Sequence, residues 1–80
     1  MSTHRQRAAV TVELGRRVRK LRTELGMSQE KLAEKAHVHR TYVGSLERGE
    51  RNVALINIVR LAEALDIDPC ELVTGLTSDD

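Results

Sequence analysis

The chain of 80 residues has no tryptophan, no phenylalanine and one tyrosine. A core must therefore come from Leu, Val, Ile, Ala and Met, side chains that suit closely packed helices, and Tyr42 is conspicuous as the lone aromatic. One cysteine excludes an internal disulfide. No apolar run is long enough for a secretory signal or a membrane span, so the expected setting is cytoplasmic and reduced, without membrane contact. Lys and Arg are absent from residues 61–80, which carry six acids, whereas residues 1–60 hold all 13 Lys and Arg against six acids, a balance of +7. Such polarity lets the first three quarters of the chain meet a polyanion while the acidic end faces elsewhere.

Catalytic patterns are missing as well. There is no Gly-rich phosphate loop, no nucleophile set beside a base and no pair of carboxylates in a cleft, so an enzyme is not expected. His4, His37, His39 and Cys70 fit no compact zinc spacing, and neither metal nor cofactor is expected. The ordinary reading of Cys70 is a small residue in the first turn of a helix.

What is present reads as one small all-α domain. Residues 1–9 are polar and aperiodic, a flexible arm by expectation. Val10, Leu14, Val18, Leu21 and Leu25 then mark one face of an amphipathic helix ended by Gly26. Ser28 caps a two-turn helix with Leu32, Ala33 and Ala36 inward. After a break at residues 37–39, a third helix from Arg40 to Arg48 buries Val43 and Leu46 and closes at Gly49. A fourth is expected to place Leu55, Ile58, Val59, Ala62 and Leu65 on one face. Asp68, Pro69 and Glu71 announce a fifth, with Asp68 as cap and Glu71 completing a capping box. Gly75 ends it, giving a domain over residues 10–76 and a frayed tail over 77–80.

Two short helices joined by about three residues, QEKLAEKA and RTYVGSLER, with small Ala33 at their crossing, fit a helix-turn-helix whose second helix enters the DNA major groove. Arg40, Thr41 and Ser45 share the outer face of that helix, with Tyr42 beside them. An Arg fork matches the O6 and N7 acceptors of guanine, a Thr offers a hydroxyl or a methyl, and a Tyr ring packs on sugar or a thymine methyl. His39, just ahead, joins this set. Arg48, Arg51 and Asn52 follow as a clamp on the DNA backbone, a positioning role more than a reading one, with Arg51 in reach of a base edge. The alternative for the whole group is a solvated polar face.

With LRTELGMSQEKLAEKA, RTYVGSLERGERN and LAEALDIDPCEL in view, the chain resembles the Cro/repressor (XRE) family of helix-turn-helix regulators over roughly residues 14–72. Within the family it is most similar to the controller proteins of restriction-modification systems. The resemblance implies a compact five-helix, lambda-repressor-like fold, no catalysis, and regulation of transcription from a pseudo-palindromic operator bound by a homodimer. It implies that Gln29 anchors the DNA backbone at the start of the second helix, and that Arg22 forms an internal salt bridge with Glu47. RNA polymerase is a further partner on this reading, and no small-molecule ligand is expected. The family usually has Gly where this chain has His37, so a residue with a Cβ is expected there at positive φ. The C-terminal segment is the expected dimer interface, through Ile67, Leu72, Val73 and Leu76. Two rival readings are an antitoxin-type module whose C-terminal helices hold a toxin, and a metal-dependent sensor.

Overall fold

The computed structural model describes residues 8–78. The expected arm falls outside them, with His4, Arg5 and Arg7, except for Ala8 and Ala9. Five helices follow in order: α1 (Ala9–Glu24), α2 (Gln29–Ala36), α3 (Arg40–Glu47), α4 (Leu55–Ala64) and α5 (Cys70–Val73). Among the described residues there is no strand.

The local signals act largely as the residues dictate. The Ser28 hydroxyl accepts from the Lys31 amide at 2.9 Å, satisfying one donor of the first turn of α2. His37 ends α2 at φ 60°, ψ 43°, the left-handed conformation that the turn demands. At α5 the Asp68 carboxylate accepts from the Cys70 amide at 2.9 Å. Glu71 joins through its backbone N–H, which donates to the Asp68 carbonyl. That contact to Cys70 holds the Asp68 carboxyl below its usual range, and Asp68 in turn raises the exposed Cys70 thiol. A thiol so placed is a poor source of reactive thiolate.

The core draws on every helix: Leu14 and Val18 of α1, Leu32, Ala33 and Ala36 of α2, Val43 and Leu46 of α3, Leu61, Ala62 and Ala64 of α4 with Leu65 at its C-cap, and Leu72 of α5. Its periphery includes Leu21, Met27, Val38, Tyr42, Val53, Ile58 and Ile67. α2 and α3 pack on each other, α1 supports α3, α4 backs α2, and α5 closes against α1 and α4.

Two helix faces differ from expectation. Leu25 is 55% exposed because it caps the end of α1, where the stripe has turned away from the core. Leu55 is 75% exposed, while Leu61 is fully buried. The inward stripe of α4 is Ile58, Leu61, Ala62 and Leu65, spaced three and four apart, and Leu55 stands at the first helical position. Leu72, expected at a dimer interface, is fully buried in the chain's own core and has no surface left for a second copy. Arg17 donates to the Leu72 carbonyl at 3.2 Å and pairs with Glu13 at 2.9 Å, tying α5 to α1. With Arg16 also bound to it, the Glu13 carboxyl is lowered to about 2.

Candidate nucleic-acid interface

α3 is fixed in place by unusually close backbone contact. A Cβ on Gly15 would lie 2.4 Å from the Leu46 carbonyl oxygen and 2.8 Å from that of Glu47, so α1 and α3 touch where only glycine fits. Beyond the end of α3, Gly49 has φ 79° and a Cβ there would lie 2.8 Å from the Val12 side chain. The Thr11 hydroxyl donates to the Gly49 carbonyl at 2.9 Å. The start of α1 therefore packs on the loop that leaves α3.

The same end of α3 carries an internal ion pair. Arg22 donates from Nε to Glu47 Oε2 at 2.7 Å and from Nη2 to Oε1 at 3.0 Å, a bidentate contact, and its Nη1 donates to the Met27 carbonyl at 2.8 Å. The two side chains are 12% and 4% exposed. Glu47 holds the Arg22 guanidinium above its ordinary value. Gln29 completes the set, its Nε2 donating to Glu47 Oε1 at 3.0 Å. The Gln29 side chain, expected to anchor DNA, is thus engaged inside the protein, joining the start of α2 to the end of α3.

On the outer side, His39, Arg40 and Thr41 are all exposed. His39 Nδ1 accepts from the Thr41 amide at 3.2 Å and lies 2.9 Å from the Thr41 hydroxyl, so an imidazole caps α3. The Arg40 side chain has no hydrogen bond or ion pair with the described residues and projects from the first turn. Arg48 is exposed and meets Glu50 at 3.3 Å, a surface pair of little weight. Asn52 is exposed.

Tyr42 and Ser45 are not free. Tyr42 is half-buried against the core and its hydroxyl accepts from Asn57 Nδ2 at 3.3 Å. Ser45, expected on the outer face, is 7% exposed. Its hydroxyl donates to the Tyr42 carbonyl at 3.0 Å and accepts from Arg51 Nε at 2.8 Å. The Arg51 guanidinium lies 5.5 Å from the Tyr42 ring centroid, within the range of a cation–π contact. The structure thus brings His39, Arg40 and Thr41 together at one end of α3, folds Arg51 back over its middle, and withdraws Ser45. Sequence reasoning missed Gly15, whose only signal was a glycine inside a helical pattern, and Asn57, whose partner is 15 residues away.

A helix-turn-helix family model matches residues 18–72, more than half of the chain and all of α2 and α3. The chain belongs to the helix-turn-helix family, in its Cro/repressor (XRE) branch. This helix-turn-helix protein is 47% identical over 64 residues to control protein C.BamHI of Bacillus amyloliquefaciens, covering 79% of each chain. It is 48% identical over 61 residues to control protein C.SmaI of Serratia marcescens, covering 76% of this chain and 73% of the relative. Its fold matches the crystal structure of the restriction-modification controller protein C.AhdI from Aeromonas hydrophila with a TM-score of 0.79 at 56% identity, over 80% of this chain and 97% of that one. Among the described residues of the helix-turn-helix protein, no three His, Cys, Asp or Glu gather as metal ligands, and no helix is long and apolar enough to cross a membrane.

Proposed function

We propose that the protein is a transcription regulator of the restriction-modification controller type, acting on a pseudo-palindromic operator in double-stranded DNA as a homodimer. The observation that carries the reading is the exposed start of α3, where Arg40 and Thr41 project beside the His39 cap while the acid of the same helix, Glu47, is sealed inside by Arg22. Each copy inserts α3 into a major groove, with the two grooves about 34 Å apart along the operator. Arg40 and Thr41 meet base edges, and Arg48 and Asn52 meet phosphates. At the start of α2, backbone N–H groups and the helix dipole favour another phosphate, with Gln29 setting how α2 stands against α3.

The pairing surface comprises Ile67, Val73 and Leu76. Val73 is 39% exposed and Ile67 and Leu76 are partly so, an apolar group at the acidic end of the chain. Occupancy of the operator follows protein concentration and dimerisation, and bound protein blocks or recruits RNA polymerase. The named relatives, two control proteins and a restriction-modification controller protein, support a regulatory role over a toxin-binding one.

Selection of binding sites from random duplex DNA tests the proposal. The expected outcome is enrichment of a two-fold symmetric sequence whose affinity falls steeply as salt rises, because several phosphates are neutralised. Selection that enriches no symmetric site, or binding indifferent to salt, would sink it.

A further inference from the structure

Ser45, Arg51, Tyr42 and Asn57 form a polar cluster that joins α3, the following loop and α4, and the operator reading leaves it without a purpose. The Ser45 hydroxyl gives its proton to the Tyr42 carbonyl, so only its acceptor capacity is left, and the Arg51 Nε–H fills it at 2.8 Å. The guanidinium also lies over the Tyr42 ring at 5.5 Å, and that ring is tethered by Asn57. With Nε occupied, Nη1 and Nη2 at the end of the fork are left without a hydrogen-bond partner among the described residues, on a residue that is exposed.

We propose that Ser45 acts on DNA through Arg51: it and Tyr42 are positioning residues that hold the fork in one orientation, so that base preference at one position of each half-site depends on a side chain that touches no DNA. The inference rests on the operator reading above. A phosphate contact needs only a nearby cation, and a mobile loop arginine supplies it. A base edge such as the O6 and N7 pair of guanine needs a fork of fixed direction, which is what the cation–π contact and the Nε hydrogen bond together favour. Anchoring on Tyr42 and Ser45 also places Arg51 beside the first two turns of α3 rather than beyond its end.

The test is a double-mutant cycle on the full chain, using the selected operator, its single-base-pair variants and an unrelated duplex at one salt concentration, with melting temperatures recorded for every variant. Arg51→Ala is expected to lower operator affinity about 10- to 100-fold and flatten preference at one base pair per half-site. Ser45→Ala flattens preference at that same base pair with a loss on the order of five- to ten-fold, yet changes nothing further in the Arg51→Ala background. Its affinity for the unrelated duplex and its melting temperature stay near wild type, which a merely structural strap does not predict. Additive effects, or equal weakening on every duplex, overturn the inference. Should Ser45→Ala fail to fold, Arg51→Lys decides, since it keeps the charge but has no fork: retained base preference overturns the inference, and preference lost with non-specific affinity kept supports it. A wild type that enriches no site overturns both this inference and the operator reading, whereas an enriched site with additive variants overturns this inference alone.

Discussion

A free carboxylate at the end of a helix that faces phosphate would repel it, and Glu47 avoids this by being enclosed. Arg22 contacts it with two nitrogens and Gln29 with a third. Charges this well buried are costly to strand. Glu47→Gln leaves Arg22 without its counter-charge and is expected to destabilise the fold by about 3 kcal/mol, read as a lower urea midpoint. An unchanged midpoint together with tighter DNA binding would mean that Glu47 acts on DNA and not on Arg22. His37 carries a smaller strain. At φ 60° its Cβ crowds the backbone, and His37→Gly is expected to recover about 1 kcal/mol, raising the melting temperature by roughly 4–8 °C; a clear fall would contradict the strain. Both positions were legible only because the sequence resembles a known family. Ser45 was misread from spacing: four residues after Thr41, it shares the Thr41 side of a helical wheel, but a wheel does not show a loop folding Arg51 back over that position.

At the scale of elements, α3 is held by what its neighbours lack. Gly15 lets the α1 backbone meet the carbonyls of Leu46 and Glu47, and Gly49 lets the outgoing loop pass Val12. Gly15→Ala puts a methyl group against two backbone oxygens that have no rotamer to change. The expected loss is about 1–3 kcal/mol in thermal or urea unfolding, despite the better helix propensity of alanine. A gain in stability would show that α1 and α3 part easily and that their contact does not fix α3. The positions of all five helices could be read from caps and from three-and-four spacing, because those signals lie within a few residues. The inward face of α4 could not be settled so locally. Leu55 and Leu61 both continue the period through Ile58, and what separates them is that only one lies opposite the other helices, a fact of packing. Arg17 was hidden for the same reason, since its Leu72 acceptor is 55 residues distant.

Across the whole molecule, cations and the densest run of acids are sorted to opposite ends of the sequence. The segment with all 13 cations includes α2 and α3, and residues 61–80 combine six acids with the exposed edge of α5. In the proposed dimer, two copies joined at the acidic end would present two copies of α3 to one duplex, with neither the junction nor the acids opposing the phosphates. This division was visible in composition alone. Which side chains read bases was not, because exposure and internal hydrogen bonds decide it, and they leave Arg40 as the unengaged cation of the first turn of α3. The most direct measurement is therefore the full base-preference profile of Arg40→Ala beside that of wild type on the selected operator and all its single-base-pair variants. If α3 reads the groove, the variant loses about 1–3 kcal/mol of discrimination at one base pair in each half-site and keeps the other preferences. Uniform weakening with every preference intact would make Arg40 a phosphate contact and would contradict the assignment of this end of α3 as the reading surface.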